Sequence, residues 1–224
     1  MDSIKNYHEK ELVWYIVAYL LFLSYLPFWN HGQGCFNSLK DLSDISEWLS
    51  SVLIAGVISS LSFVFMNIYP QGSREVLVFF NKNGLPGKNI FSKIKKGDIK
   101  DIRIDNELAL KKYDDIINNI PEENNKARKY ENNKWYIIYN KYVDDNRVLQ
   151  THRDNLLGRD IYLTTLAMVI FTGLAFVSCL LSFNWLIVGY LAIMLIVTNM
   201  VARFNARRFV ETVIAVDLAN KKEE

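Results

Sequence analysis

Apolar positions gather into four uncharged runs along the 224 residues: Leu12–Trp29, Leu49–Tyr69, Ile161–Ser182 and Trp185–Ala202. None contains Asp, Glu, Lys, Arg or His. A helix of roughly 20 apolar residues crosses a bilayer, whereas a buried core helix is usually shorter. The pattern therefore predicts an all-α membrane protein with four transmembrane helices and a helical cytoplasmic insert between the second and third. Residues 1–69 form an N-terminal pair of transmembrane helices with a short outer loop, and 70–158 the insert. Residues 159–202 form a C-terminal transmembrane hairpin turning at "SFNW", and 203–224 an amphipathic cytoplasmic tail. A signal peptide is the alternative for the first run. Its mixed-charge start "MDSIKNYHEKE" and its end "SYLPFWNHG", which lacks a small-x-small site, favour a retained helix.

Wound at about 100° per residue, the second run separates into two faces. Leu53, Ile54, Val57, Ile58, Leu61, Val64, Phe65 and Ile68 share one, which suits lipid. Ser51, Ala55, Gly56, Ser59, Ser60, Ser62 and Asn67 share the other. In the third run Thr164, Thr165, Thr172, Ala175, Cys179 and Ser182 oppose Leu163, Leu166, Ile170, Leu174, Val177 and Leu181. Small residues let helices approach and hydroxyls can bond across the contact. A hydroxyl-lined path gated by apolar rings is the other use of such a face. Ser51, Ala55, Ser59, Ser62, Thr165 and Thr172 are the candidate pore or helix-packing residues. Ionisable groups within the spans, which coupled carriers and voltage sensors need, are missing from all four runs.

Between the spans the pattern is helical. Ser73 is positioned to cap a helix just beyond Pro70, "GLPG" at 84–87 marks a turn, and Asp105 can cap "NELALKKYDDII". Pro121 suits the first position of the next helix, in which Ala127, Tyr130, Trp135, Ile138, Tyr139 and Tyr142 make one aromatic face. "KDIRI" is the one plausible strand and is too short for a sheet. The last helix of the insert begins near Asp144 and can run unbroken into the third span, with Gly158 as a soft point. In the tail Phe209, Val210, Val213, Ile214 and Leu218 lie along one side. About 90 residues make only a marginal core alone, so packing against the tail or another subunit would help the insert.

The net charge of +2 matters through its distribution. Residues 70–160 carry eighteen basic and fourteen acidic side chains, and the tail from Arg203 carries five basic ones. The 30–48 loop carries only Lys40, against Asp41, Asp44 and Glu47. Basic segments stay inside, which predicts a multi-pass membrane protein with both termini cytoplasmic. Arg74, Arg153 and Arg159, beside the spans, carry the useful signal. Arg203, Arg207 and Arg208 cluster where anionic headgroups would hold them. "KIKK" (93–96) with Lys88, Lys100 and Arg103 is a basic patch for phosphates, headgroups or plain solvation.

Cys35 and Cys179 are both placed toward the outer face and can pair if it is oxidising; free thiols are the alternative. His8, His31 and His152 are scattered, which argues against zinc. No catalytic residue, metal or cofactor is assigned, and the chain reads as a non-enzyme. Arg147 and His152 do match the R-x4–6-H motif of the HEPN ribonuclease superfamily. Val148 follows the arginine, where that family usually has a polar residue. A juxtamembrane stalk is the competing reading, with Arg153 and Arg159 facing headgroups and Asp154 and Asp160 pairing with nearby bases.

The segment "WYIIYNKY…NRVLQTHRDNLLGRDIYL", preceded by "GLPGKNIFS", resembles small bacterial four-span proteins of phage-defence neighbourhoods. The matching positions within about 74–165 are Pro86, Trp135, Tyr136, Arg153, Asp154, Leu157, Arg159 and Asp160. The membrane effector of Hailong-type systems is the nearest understood example. The resemblance implies an oligomeric channel of the bacterial inner membrane, opened by a cytoplasmic signal in antiviral defence. The expected partners are the lipid bilayer, further copies of the chain, and a cytoplasmic protein or nucleotide-type ligand, but not duplex nucleic acid. Trp135, Tyr139, Arg147, His152, Arg153 and Arg159 are the candidate signal-coupling residues. An anchor that binds and regulates a cytoplasmic partner is the alternative function.

Overall fold

The structure, a computed structural model, describes residues 10–19, 21–22, 42–68, 71–81, 84–180 and 183–220. Every regular element among them is helical. Residues 10–19 form α1. It is followed by α2 (Leu42–Ile68), α3 (Gln71–Phe79), α4 (Ile90–Lys96), α5 (Asn106–Lys112) and α6 (Asp114–Asn118). The longer α7 (Asn124–Lys141), α8 (Asn146–Val177) and α9 (Trp185–Ala219) complete the order. Among the described residues α8 and α9 are long and apolar enough to cross a membrane.

The chain divides into two compact units, Met1–Arg74 with Arg159–Met200, and Glu75–Gly158 with Val201–Glu224. The tail therefore belongs to the same unit as the insert.

In the first unit Tyr19, Met168, Ile187 and Leu191 form a small buried cluster, flanked by Ile16, Phe22, Val169, Phe176 and Tyr190. Two hydroxyl pairs join α1 to α8. Tyr15 Oη lies 2.6 Å from Thr165 Oγ1, and Tyr19 Oη lies 3.1 Å from Thr172 Oγ1. The apolar arc predicted for α2 is largely exposed at Leu53, Val57, Leu61, Val64 and Ile68, although Ile58 is buried. On α8, Ile170, Leu174 and Val177 are exposed while Thr164, Thr165, Thr172 and Ala175 are buried; Leu163, expected on the outer face, is buried as well. Cys179 follows α8 as an exposed residue in the left-handed backbone region. Its proposed partner Cys35 lies outside the described residues.

The second unit has a larger core. Ile90, Phe91 and Ile94 of α4 meet Ala109, Ile117, Trp135, Ile138 and Tyr139, and the tail side chains Phe209, Val210, Val213, Ile214 and Leu218 fill the same cluster. The amphipathic tail thus buries the face that the sequence marks as apolar. Burying five such side chains supplies the area that about 90 residues lack alone.

Several local expectations change. Ser73 lies inside α3 rather than capping it. Asp105 does cap α5, accepting from the N–H groups of Glu107 and Leu108 at 2.9 and 3.3 Å. The helix it starts stops at Tyr113, whose buried ring packs edge-on against Phe91. Pro121 does not open a helix. The chain bends at Glu122 and Glu123, Glu123 is the extended N-cap of α7, and the helix begins at Asn124. "KDIRI" is a turn, not a strand, with Ile104 N–H donating to Asp101 O at 3.0 Å. Asp101 explains it. Its carboxylate takes the backbone N–H of Arg103 at 3.0 Å and the guanidinium at 2.6 Å, a local alternative to a ladder.

Gly158 does not soften α8, which runs through it. A Cβ there would sit 2.9 Å from Asn205 Nδ2 and 3.4 Å from Ala202 Cα, so the glycine permits close approach of α9. The Asn205 amide is itself engaged, donating to Asp154 O at 3.0 Å. Gly158→Val is expected to cost about 1–3 kcal/mol by overpacking, read as a lowered melting temperature of the purified protein.

Candidate functional site

Two places in the second unit bring predicted residues together. The first is an aromatic stack between α7, α8 and α9. The Trp135 ring stacks on Tyr139, with centroids 5.6 Å apart and planes 13° apart. Phe209 meets Trp135 edge-on at 5.4 Å and stacks on His152 at 4.8 Å. Tyr139 Oη lies 3.1 Å from His152 Nδ1, and Trp135 Nε1–H donates to Val210 O at 3.4 Å. The turn at 86–88 completes the packing. A Cβ on Gly87 would lie 3.3 Å from both Trp135 Cε3 and Asn132 Oδ1, so the glycine lets that backbone rest closely on the indole face. Phe209 was read as a core position of the tail; the structure makes it the centre of this stack.

Three of the named coupling residues, Trp135, Tyr139 and His152, therefore meet. Arg147 does not join them. It is 60 % exposed and pairs with Asp145 at 2.9 Å, an interaction that holds the Asp145 carboxyl below its ordinary range. His152 lies in the ring stack, so Arg147 and His152 do not converge within the chain. Arg153 is half-buried on α8. In the first unit Arg159 is turned to Asp160, its Nε 3.0 Å from Oδ1, and Arg74 approaches the same oxygen at 3.8 Å. Arg159 is thus mostly buried against a carboxylate rather than presented to headgroups.

The span residues fall as follows. Thr165 and Thr172 are fully buried and bonded to the α1 tyrosines, and the Thr165 hydroxyl also donates to Ile161 O. Ser62 is buried with its hydroxyl on Ile58 O at 2.7 Å. The buried Ser59 Oγ has no hydrogen-bond partner among the described residues. Ser51 and Ala55 lie on α2, and their side chains are outside the described set.

The second place is a cleft of about 750 Å³. Lys93, Lys100 and Arg103 line it from α4 and the 98–103 turn, and Arg207 and Arg208 from α9. Asp98, Asp101 and Glu211 are its acids, and Ile102 and Phe204 its apolar members. Two basic groups that are separate in sequence, the "KIKK" region and the tail arginines, are one site here. Arg103 is committed to Asp101 and to Thr212 Oγ1 at 3.1 Å. Among the described residues Lys93, Lys100, Arg207 and Arg208 make no salt bridge. Burial, then the Arg207 charge, pulls the Lys93 ammonium below its ordinary pKa. Burial, then Asp101, pushes the Glu211 carboxyl up. Both are half-buried charges for which burial outweighs the opposite charges facing them across the cleft. Arg203 takes a different role: its Nε donates to Val78 O at 3.1 Å and its guanidinium lies 5.2 Å from the Phe80 ring centroid.

No group of three or more metal-ligating side chains occurs among the described residues. Comparison with protein-family models, curated proteins and solved structures finds no match to this chain.

Proposed function

We propose that the chain is a subunit of a homo-oligomeric inner-membrane effector. Its second unit receives a cytoplasmic signal, and its spans respond by making the membrane permeable. In this reading α1 and α2 join α8 and α9 as four transmembrane helices, both termini lie in the cytoplasm, and the antiviral setting follows the resemblance of residues 74–165. The observation that carries the proposal is the composition of two continuous helices. α8 and α9 each combine an apolar run long enough for a bilayer with side chains of the aromatic stack, His152 on one and Phe209 on the other. A shift in the stack is then a shift in a helix that also spans.

Forced expression with a potential-sensitive dye tests this. Wild type is expected to depolarise cells. Ser59→Leu, which fills a buried site with an unpartnered hydroxyl, is expected to depolarise less at equal membrane abundance. Cells that keep their potential with both proteins would remove the effector reading.

One observation favours an anchor as the second reading. Ser62, Thr165 and Thr172 are all bonded within one chain, so these hydroxyls are used in packing and not offered to a water path. An anchor predicts salt-sensitive co-purification of a cytoplasmic protein without any conductance.

A further inference from the structure

The cleft in the second unit has the size of a small-molecule site, which typically measures about 300–1,000 Å³. It is also charge-imbalanced in a specific way. Once Arg103 is paired with Asp101, four cations remain, against Asp98 and Glu211. Arg207 and Arg208 offer planar forks, and Lys93 stands close enough to Arg207 to be disfavoured by its charge. A phosphoryl group suits this better than a carboxylate. It carries up to two charges and three acceptor oxygens, and it accepts bidentate donation from guanidinium. The rim is apolar. Ile102 is 99 % exposed and Phe204 is 64 % exposed, both beside the cations. An apolar or aromatic body attached to the phosphate would cover them.

We infer that the cleft binds a phosphate ester, with the phosphoryl group held by Lys93, Arg207 and Arg208 and the ester's apolar or aromatic body laid on Phe204 and Ile102. The inference deepens the proposed function, since it rests on the second unit being the one that receives the signal. A soluble nucleotide and a phospholipid headgroup supply the same chemistry. Glu211 faces the site from α9 and opposes the ligand, which gives the inference a variant of opposite sign.

Full-length protein in phosphatidylcholine nanodiscs is titrated calorimetrically with inorganic phosphate and with adenosine 5′-monophosphate. In parallel, native mass spectrometry counts phosphatidylglycerol molecules retained by protein purified from vesicles containing that lipid. Binding is expected in one arm, and the arm identifies the source. Arg207→Glu with Arg208→Glu should weaken it about tenfold or more, the scale of one hydrogen bond to a charged group. Glu211→Gln should strengthen it, which a merely destabilised protein would not show. Absence of binding in both arms overturns the inference, as does binding indifferent to all three substitutions. Binding by a protein that never depolarises cells keeps the site and removes the effector reading. Depolarisation without binding does the reverse.

Discussion

Trp135→Ala should leave the second unit barely folded, with a loss of about 3–5 kcal/mol, the usual range for emptying a buried tryptophan site. The indole is 7 % exposed and touches three separate parts of the chain: the 86–88 turn, Tyr139 on its own helix, and Phe209 on the tail. Removing it unseats all three at once, because a void of that size has no flexible neighbour to collapse into it. Trp135→Phe separates packing from hydrogen bonding. It keeps most of the ring contact and loses the 3.4 Å donation to Val210 O, so a cost of only about 1 kcal/mol is expected beyond the lost volume. Pulse proteolysis of the detergent-purified protein, scored on cleavage within 75–158, measures both. Equal resistance of Trp135→Ala and wild type would show that the indole is not a keystone.

The second large effect belongs to Asp217. Its carboxylate is buried, lies 2.9 Å from Lys112 Nζ, and accepts from Tyr113 Oη at 2.5 Å. Asp217→Ala would leave the Tyr113 phenol without its acceptor and the Lys112 ammonium with only the backbone carbonyl of residue 217 and no counter-charge, at a cost of about 3–5 kcal/mol. Its pH dependence is the sharper test. Burial acts to raise the Asp217 pKa, but the hydrogen bonds from Tyr113, Lys112 and Tyr142 together outweigh it and set the group below its ordinary 3.8. A carboxyl depressed on folding stabilises above its unfolded pKa and ceases to do so as pH falls through the folded one. Stability should therefore fall off below about pH 4. Tyr113 gives the other limb. Burial, then Asp217, pushes its phenol above the ordinary 10.0, so its contribution is complete below that pH and is lost as pH rises beyond it. A melting-temperature profile should show both limbs in wild type, and Asp217→Asn should flatten the acid one.

The helical class, the apolar face of the tail, the Asp105 cap and the buried threonines of α8 were all legible in the sequence, because each rests on spacing within one element. The cleft was not. Its lysines lie at 93 and 100 and its arginines at 207 and 208, and only the packing of the tail into the insert's core joins them. Glu131 was invisible for a related reason. Its charge suggests solvent even though its spacing, four residues from both Ala127 and Trp135, puts it on the buried face of α7; it is completely buried, and the Ser92 N–H and hydroxyl meet its two carboxylate oxygens at 3.0 and 2.5 Å. Partners 39 residues apart leave no local signature. The "KDIRI" turn was misread because β-branched residues suggested extension, while one aspartate supplied a tighter local solution.

The tyrosine–threonine pairs between α1 and α8 act as a two-pin key. Tyr15 and Tyr19 are themselves about one helical turn apart, so sliding α1 by about 5.4 Å would bring one of them to the place the other leaves, and at most one of the two hydroxyl pairs could re-form. Each stranded hydroxyl would cost about 1–3 kcal/mol. Longitudinal slippage of this helix pair is therefore penalised, which favours rearrangements of the first unit that carry α1 and α8 together.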